Sequence, residues 1–265
     1  MQWDETKHPR DDAGRFATKN GKQGSADLKR NTFKEPVRQN TDYDDILNND
    51  GKKYQKTFNA VIKGIKEEDL KFWGAGKETQ PATIFSTIEE KEFVFQSQAD
   101  FHNQGITPEQ AIHCFYCIPK NIRKHAQKRI YFVGYENPED ELWRKEYKDF
   151  TSSGAIGDNE EIIVFKNNGY SDQVLTSMFV HEIGHKIDDE NGNGHVGFSH
   201  SANWIMAKLN DMAHSGISSP TDYGNSHLRE DFAESLMVYN LNPSVFKKYF
   251  PARAKIIESI LNPNK

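Results

Sequence analysis

Cysteine is nearly absent from this 265-residue chain: the two present, Cys114 and Cys117, form a single C-x-x-C. One such pair excludes the disulfide framework of a small secreted scaffold, so the fold must rest on a buried apolar core. The length is sufficient for one substantial core. Long apolar runs are missing as well; none approaches the roughly 20 residues that span a bilayer, so no membrane span is expected. Nor is there an excess of positive charge: 34 Lys and Arg stand against 39 Asp and Glu, a formal net charge of −5. That balance gives no electrostatic footprint for nucleic acid. The N-terminal MQWDETKHPRDD is charged from its fourth residue and lacks the apolar stretch of a secretory signal. Cytoplasmic, particle-associated and signal-independent exported destinations all remain open. Internal repeats are absent too.

What is present divides in two. Residues 1–55 mix Lys, Arg, Asp, Asn and Gly around scattered apolar residues, with no sustained period. Such a segment buries too little surface to offset its conformational entropy, and a mobile charged arm is expected. Apolar density rises after it. FNAVIKGI (Phe58 to Ile65) reads as a short strand or a helix start. ATIFSTIEEKEFVFQSQADF (Ala82 to Phe101) carries both periods, and residues 56–106 form an N-terminal extension without an assigned role. Thr107-Pro108-Glu109-Gln110 predicts a helix start, with a Thr cap, Pro at the first position and Gln closing a capping box. A helical turn in IPKNIRKHAQ and strands in RIYFVGY and EEIIVFKN follow. Ser171 or Asp172 then caps a helix running through VLTSMFVHEIGHKI. FSHSANWIMAKLNDMA, HLREDFAESLMVYN and VFKKYFPARAKIIESIL read as further helices, the last broken near Pro251. Strands mixed with helices, then helices alone, predict an α+β domain over 107–265 with a helical C-terminal half.

The chemistry centres on HEIGH, residues 181–185. On a helix, residues four apart share a face, so His181 and His185 can point at one cation while Glu182 approaches from the side. A catalytic zinc takes three protein ligands and a water, and a neighbouring carboxylate removes a proton from that water. Val174, Leu175, Met178, Phe179, Val180, Ile183 and Ile187 would bury the rest of the helix. Gly184 costs about 1 kcal/mol relative to Ala in mid-helix, which points to something packed closely against the backbone there.

A third ligand must come from elsewhere. Continuation with Gly and His three and six residues after His185 fails, because those positions are Asp188 and Asn191. His195 and His200 lie in or beside a glycine-rich turn without a helical scaffold, and Asp222 in SSPTDYG has the wrong surroundings. Glu230 and Glu234 are four apart on a later helix. One can bind zinc and the other can hydrogen-bond the far nitrogen of a ligand histidine. Two carboxylates one turn apart repel, and a cation between helices relieves that cost. Chemistry alone does not order the pair. His227 is a minor alternative ligand or proton donor.

HEIGHKIDDENG followed by DYGNSHLREDFAES resembles the catalytic domain of the anthrax lethal factor-like zinc metallopeptidases, within the gluzincin group. The resemblance covers the histidine helix with its trailing Asp-Asp, the Tyr-Gly pair, Glu-Asp-Phe-Ala-Glu and the interval between the motifs. More diffusely it spans about residues 107–262. It implies a zincin-like fold with a mixed sheet, one catalytic Zn2+ held by His181, His185 and Glu230, and Glu182 as general base. Glu234 is then the carboxylate behind a ligand histidine, and Tyr223 the phenol that donates to the developing oxyanion. It further implies that EEIIVF is an edge strand beside the metal, able to take an extended peptide or protein substrate.

Three other features carry expectations. HPRDDAGRF (His8 to Phe16) resembles short segments near the ends of tailed-phage head and morphogenesis proteins, which implies association with phage structural proteins through the arm. Cys114 and Cys117, beside His113, sit near the end of a helix rather than opening one, so buried structural thiols are expected rather than a redox pair. Trp143 and Trp204 read as core or interface anchors. The leading expectation is a zinc endopeptidase. The alternatives are a phage virion or morphogenesis protein carrying a zincin-like module, and a protease delivered as a toxin or effector.

Overall fold

Period-two burial in three short strands builds the centre of the molecule. In a computed structural model, which describes residues 51–96, 106–141, 145, 154–157, 160–166, 170–193 and 196–263, Phe93 and Phe95 point to one face of a sheet and Val94 to the other. Ile130 and Phe132, and then Ile162 and Val164, repeat the first face, while Tyr131 and Ile163 repeat the second. The sheet has six strands: β1 (Ile62–Leu70), β2 (Gln80–Thr87), β3 (Glu92–Gln96), β4 (Arg129–Phe132), β5 (Ala155–Gly157) and β6 (Glu161–Val164). Their order is β1-β2-β3-β4-β6-β5. β3, β4 and β6 run parallel, and β1, β2 and β5 pair antiparallel, so the sheet is mixed.

Residues 56–106 therefore contain three strands of this sheet. Their double period has a simple origin: two strands joined by a turn carry the positive-φ Glu90 between them. FNAVIKGI is both things at once, the end of helix α1 (Gly51–Val61) and the start of β1. Helix α1 begins inside the segment expected to be an arm. Residues 1–50, including His8 to Phe16, and Trp143 lie outside the described residues.

One expectation is corrected. EEIIVF is not an edge strand: β6 lies between β4 and β5, with three of its four residues buried. Its apolar run fits a strand covered on both faces. The edge on that side is β5, a three-residue strand too short to give a period. The opposite edge, β1, is exposed along most of its length and carries Lys63, Lys66, Glu67, Glu68 and Asp69.

Helices cover the larger apolar face: α2 (Pro108–Cys117), α3 (Lys120–Arg123), α4 (Asp172–Glu190), α5 (Ala202–Ser215), α6 (Leu228–Leu241), α7 (Pro243–Tyr249) and α8 (Pro251–Leu261). Thr107 and Ser171 cap α2 and α4 as their sequences require. Gln110 departs from the capping box; its amide donates to the Tyr170 carbonyl and to Asp172. Phe95 stacks on Phe132 with centroids 4.3 Å apart, and Phe179 of α4 meets Phe132 and Phe115 edge-on at 6.4 and 5.9 Å. This aromatic stack holds α4 to the sheet two residues before His181. Among the described residues, no helix is long and apolar enough to cross a membrane.

The C-terminal helices are joined by buried charge. Arg253 of α8 is fully buried and donates to Asp211 of α5 and Asp231 of α6, at 3.0 and 2.7 Å, with its guanidinium 4.5 Å from the Phe250 ring. Asp231 also accepts from the Trp204 indole at 3.0 Å and from Lys208 at 2.9 Å. Trp204 is thus a core anchor. Of the two cysteines, Cys114 is buried and its thiol is pushed well above the usual range by burial, whereas Cys117 is exposed, its sulfur 3.3 Å from His113 Nε2. Both are free thiols, and only Cys114 matches the expected burial.

Candidate metal centre

Two helices in close contact form the site. An ideal Cβ added to Gly184 of α4 would lie 2.9 Å from Ala233 Cα and 3.2 Å from Ala233 Cβ in α6. That is the close neighbour the mid-helix glycine predicts, and it sits one residue from His185. Glu230 and Glu234 flank Ala233 on α6 and so face the histidines.

His181, His185 and Glu230 converge. The two Nε2 atoms are 3.1 Å apart, and Glu230 Oε2 lies 3.3 Å from His181 Nε2 and 3.4 Å from His185 Nε2. All three residues are buried. Glu234 Oε1 stands 2.7 Å from His181 Nδ1. A carboxylate on Nδ1 keeps the proton there and turns the Nε2 lone pair toward the cluster. Geometry thus orders the two carboxylates that chemistry left open.

The electrostatics ask for a cation. Burial alone pulls the His181 imidazole down, but Glu230 and Glu234 outweigh it and push it up to about 9. Burial raises Glu230, yet the charges and hydrogen-bonding of His185 and His181 hold it well below the usual carboxylate range. A tetrahedral zinc with ligands at 2.0–2.1 Å has ligand–ligand edges of about 3.3 Å. The observed edges of 3.1, 3.3 and 3.4 Å match it, and the donor set of two imidazoles and a carboxylate suits zinc.

Around the cluster, Glu182 is buried on the side of β5, and Tyr223 is buried in a short 3-10 turn (Tyr223–Asn225) with its ring centroid 5.9 Å from that of His181. Gly224 permits this turn: a Cβ there would meet Ser219 Oγ at 2.1 Å. Among the described residues, the other histidines stay outside the cluster. His227 is exposed at the start of α6, where its Nδ1 accepts from Arg229 N, and His200 is exposed beside Ser199. Asp222 immediately precedes the tyrosine turn. His195 is outside the described residues.

Three supports escaped the sequence reading. Asp188 is fully buried and accepts from Ser199 N at 2.5 Å and Ser199 Oγ at 2.8 Å, while burial raises its carboxyl. Asp189 receives both terminal nitrogens of Arg229 at 2.8 Å, tying the end of α4 to the residue before Glu230. The trailing Asp-Asp carried that signal, but its partners lie 11 and 40 residues away. The third is the Arg253 cluster, whose Asp231 follows Glu230 directly.

Gly184→Ala tests the helix contact. Alanine favours an isolated helix by about 1 kcal/mol, yet its methyl must push a backbone atom. The expected result is a lower melting temperature and at least roughly tenfold weaker zinc retention against a chelator, as α6 moves away with Glu230. A variant that melts higher and holds metal equally well would refute the close-contact argument.

Compared with protein-family models and with curated proteins, the chain matches none.

Proposed function

We propose that this chain is a zinc-dependent endopeptidase with a zincin-like domain of the gluzincin type. The observation that carries the reading is the buried triangle of His181, His185 and Glu230 lone pairs, whose edges of 3.1–3.4 Å suit one tetrahedral ion. His181, His185 and Glu230 would hold the ion, which when bound lowers the pKa of water to about 7 and polarises a carbonyl. The buried site strengthens each electrostatic contact within it.

The chain's own residues supply the rest. Glu182 takes the proton of the attacking water and returns it to the departing amine. Glu234 holds His181 in the tautomer that presents Nε2. Tyr223 donates its phenol to the oxyanion of the tetrahedral intermediate. β5 pairs with β6 along one edge, and no described strand pairs with the other. An extended peptide added there would present its backbone beside Glu182. This reading moves the substrate edge from EEIIVF to Ala155–Gly157.

The test is metal content together with cleavage of a diverse peptide library. One zinc per chain and chelator-sensitive cleavage, restored by added zinc, are expected. Purified protein without zinc sinks the metal centre; protein that keeps zinc but cuts no peptide makes the centre structural.

A further inference from the structure

We infer that Gly157 is a positioning residue for the general base, its missing side chain making the space in which the Glu182 carboxylate rests; this deepens the peptidase reading and relies on it for the word "base". Three observations converge on the contact between β5 and α4. An ideal Cβ at Gly157 would stand 2.8 Å from Glu182 Oε2, 3.1 Å from Glu182 Cβ and 3.4 Å from Gln127 Nε2. Contacts below 3.0 Å demand that something move. Glu182 is only 2% exposed, so the carboxylate has little free volume elsewhere.

The second observation is the direction of the strand's side chains. Ala155 belongs to the helix-side core, whereas Ile156 packs with the cluster on the opposite face. Alternation therefore turns position 157 toward α4. Both positions of β5 that face the helix are the smallest residues available. The φ of Gly157 is not positive, so its glycine is explained by close approach rather than by backbone conformation.

The third is Gln127, buried at the end of the loop into β4. Its Nε2 lies 3.5 Å from the Glu182 carbonyl and would be the next neighbour of the missing Cβ. Sheet edge, base and amide thus meet at one point. A methyl at 157 strikes the far end of a flexible side chain first, so the Glu182 carboxylate must move, while Glu182 Cβ, at 3.1 Å, has to give by only a few tenths of an ångström. That predicts a displaced base in an intact protein.

The experiment compares crystal structures, zinc content, melting temperature and peptide kinetics of the wild type and Gly157→Ala. The expected result is a Glu182 carboxylate moved by about 1 Å or more, with one zinc retained and the melting temperature nearly unchanged. A shift of that size lowers kcat by about 100-fold, with KM changed by less than about threefold. Adding Gly157→Ala to Glu182→Gln should cost nothing further, because the base is already gone; a merely structural role would add its own loss. An unmoved carboxylate, an unfolded variant or an additive double mutant each overturns the proposal. If the wild type binds zinc but cuts nothing, the peptidase reading fails while the displacement still decides the role of Gly157.

Discussion

Glu182→Gln is expected to keep its zinc and lose about three orders of magnitude in kcat/KM. The two side chains have nearly the same shape, so packing against β5 and Gln127 survives. What disappears is the ability to accept a proton, and a positioned base contributes roughly 10²–10⁴-fold. Glu182 is not among the three converging ligand atoms, so the metal should be unaffected. Elemental analysis and kinetics on a cleaved library peptide read both quantities. Activity within about tenfold of wild type would place the base elsewhere. Loss of zinc would make Glu182 a structural residue and remove it from the chemistry.

Arg253→Met should produce the largest loss of stability. The guanidinium is fully buried and compensates two buried carboxylates, Asp211 and Asp231. Removing one partner of a buried ion pair costs about 3–5 kcal/mol, because the remaining charge is left without compensation. In a chain of this size that corresponds to a fall in melting temperature on the order of 10 °C. Lys208, 2.9 Å from Asp231, is the remaining cation there, although burial lowers its own pKa. Thermal unfolding by circular dichroism measures the change. The same variant should also hold zinc less tightly, since Asp231 and Glu230 are consecutive and share the first turn of α6. A stable variant with unaltered zinc affinity would show that the buried cluster does not set the position of Glu230.

The contrast between these two residues shows what the chain discloses on its face. Glu182 is legible because its chemistry is local: two histidines one helical turn apart, with a carboxylate between them. Glu230 and Glu234 are nearly so, as their spacing is helical, although their order needed the His181 Nδ1 contact. Helix caps at Thr107 and Ser171 are equally local. The role of Arg253 is not legible in the sequence, because its partners are 22 and 42 residues away. β5 was invisible for another reason, as three residues cannot display an alternation. The misplaced edge came from the family resemblance, and with β5 unseen nothing in the sequence showed the strand that pairs with the outer side of β6. The alternation of β2 and β3 was present, but a four-residue connection blurred two strands into one ambiguous stretch.

The two edges of the sheet have opposite characters. β1 lines one border with Lys63, Lys66, Glu67, Glu68 and Asp69, all exposed. A stranger strand docking there would have to strip water from a row of charges, a known guard against edge-to-edge aggregation. β5 has no charge, three residues and the two smallest side chains facing inward. On the peptidase reading, backbone pairing is disfavoured at the charged border and falls to the other. Any segment captured by backbone pairing is directed to the border where Glu182 stands.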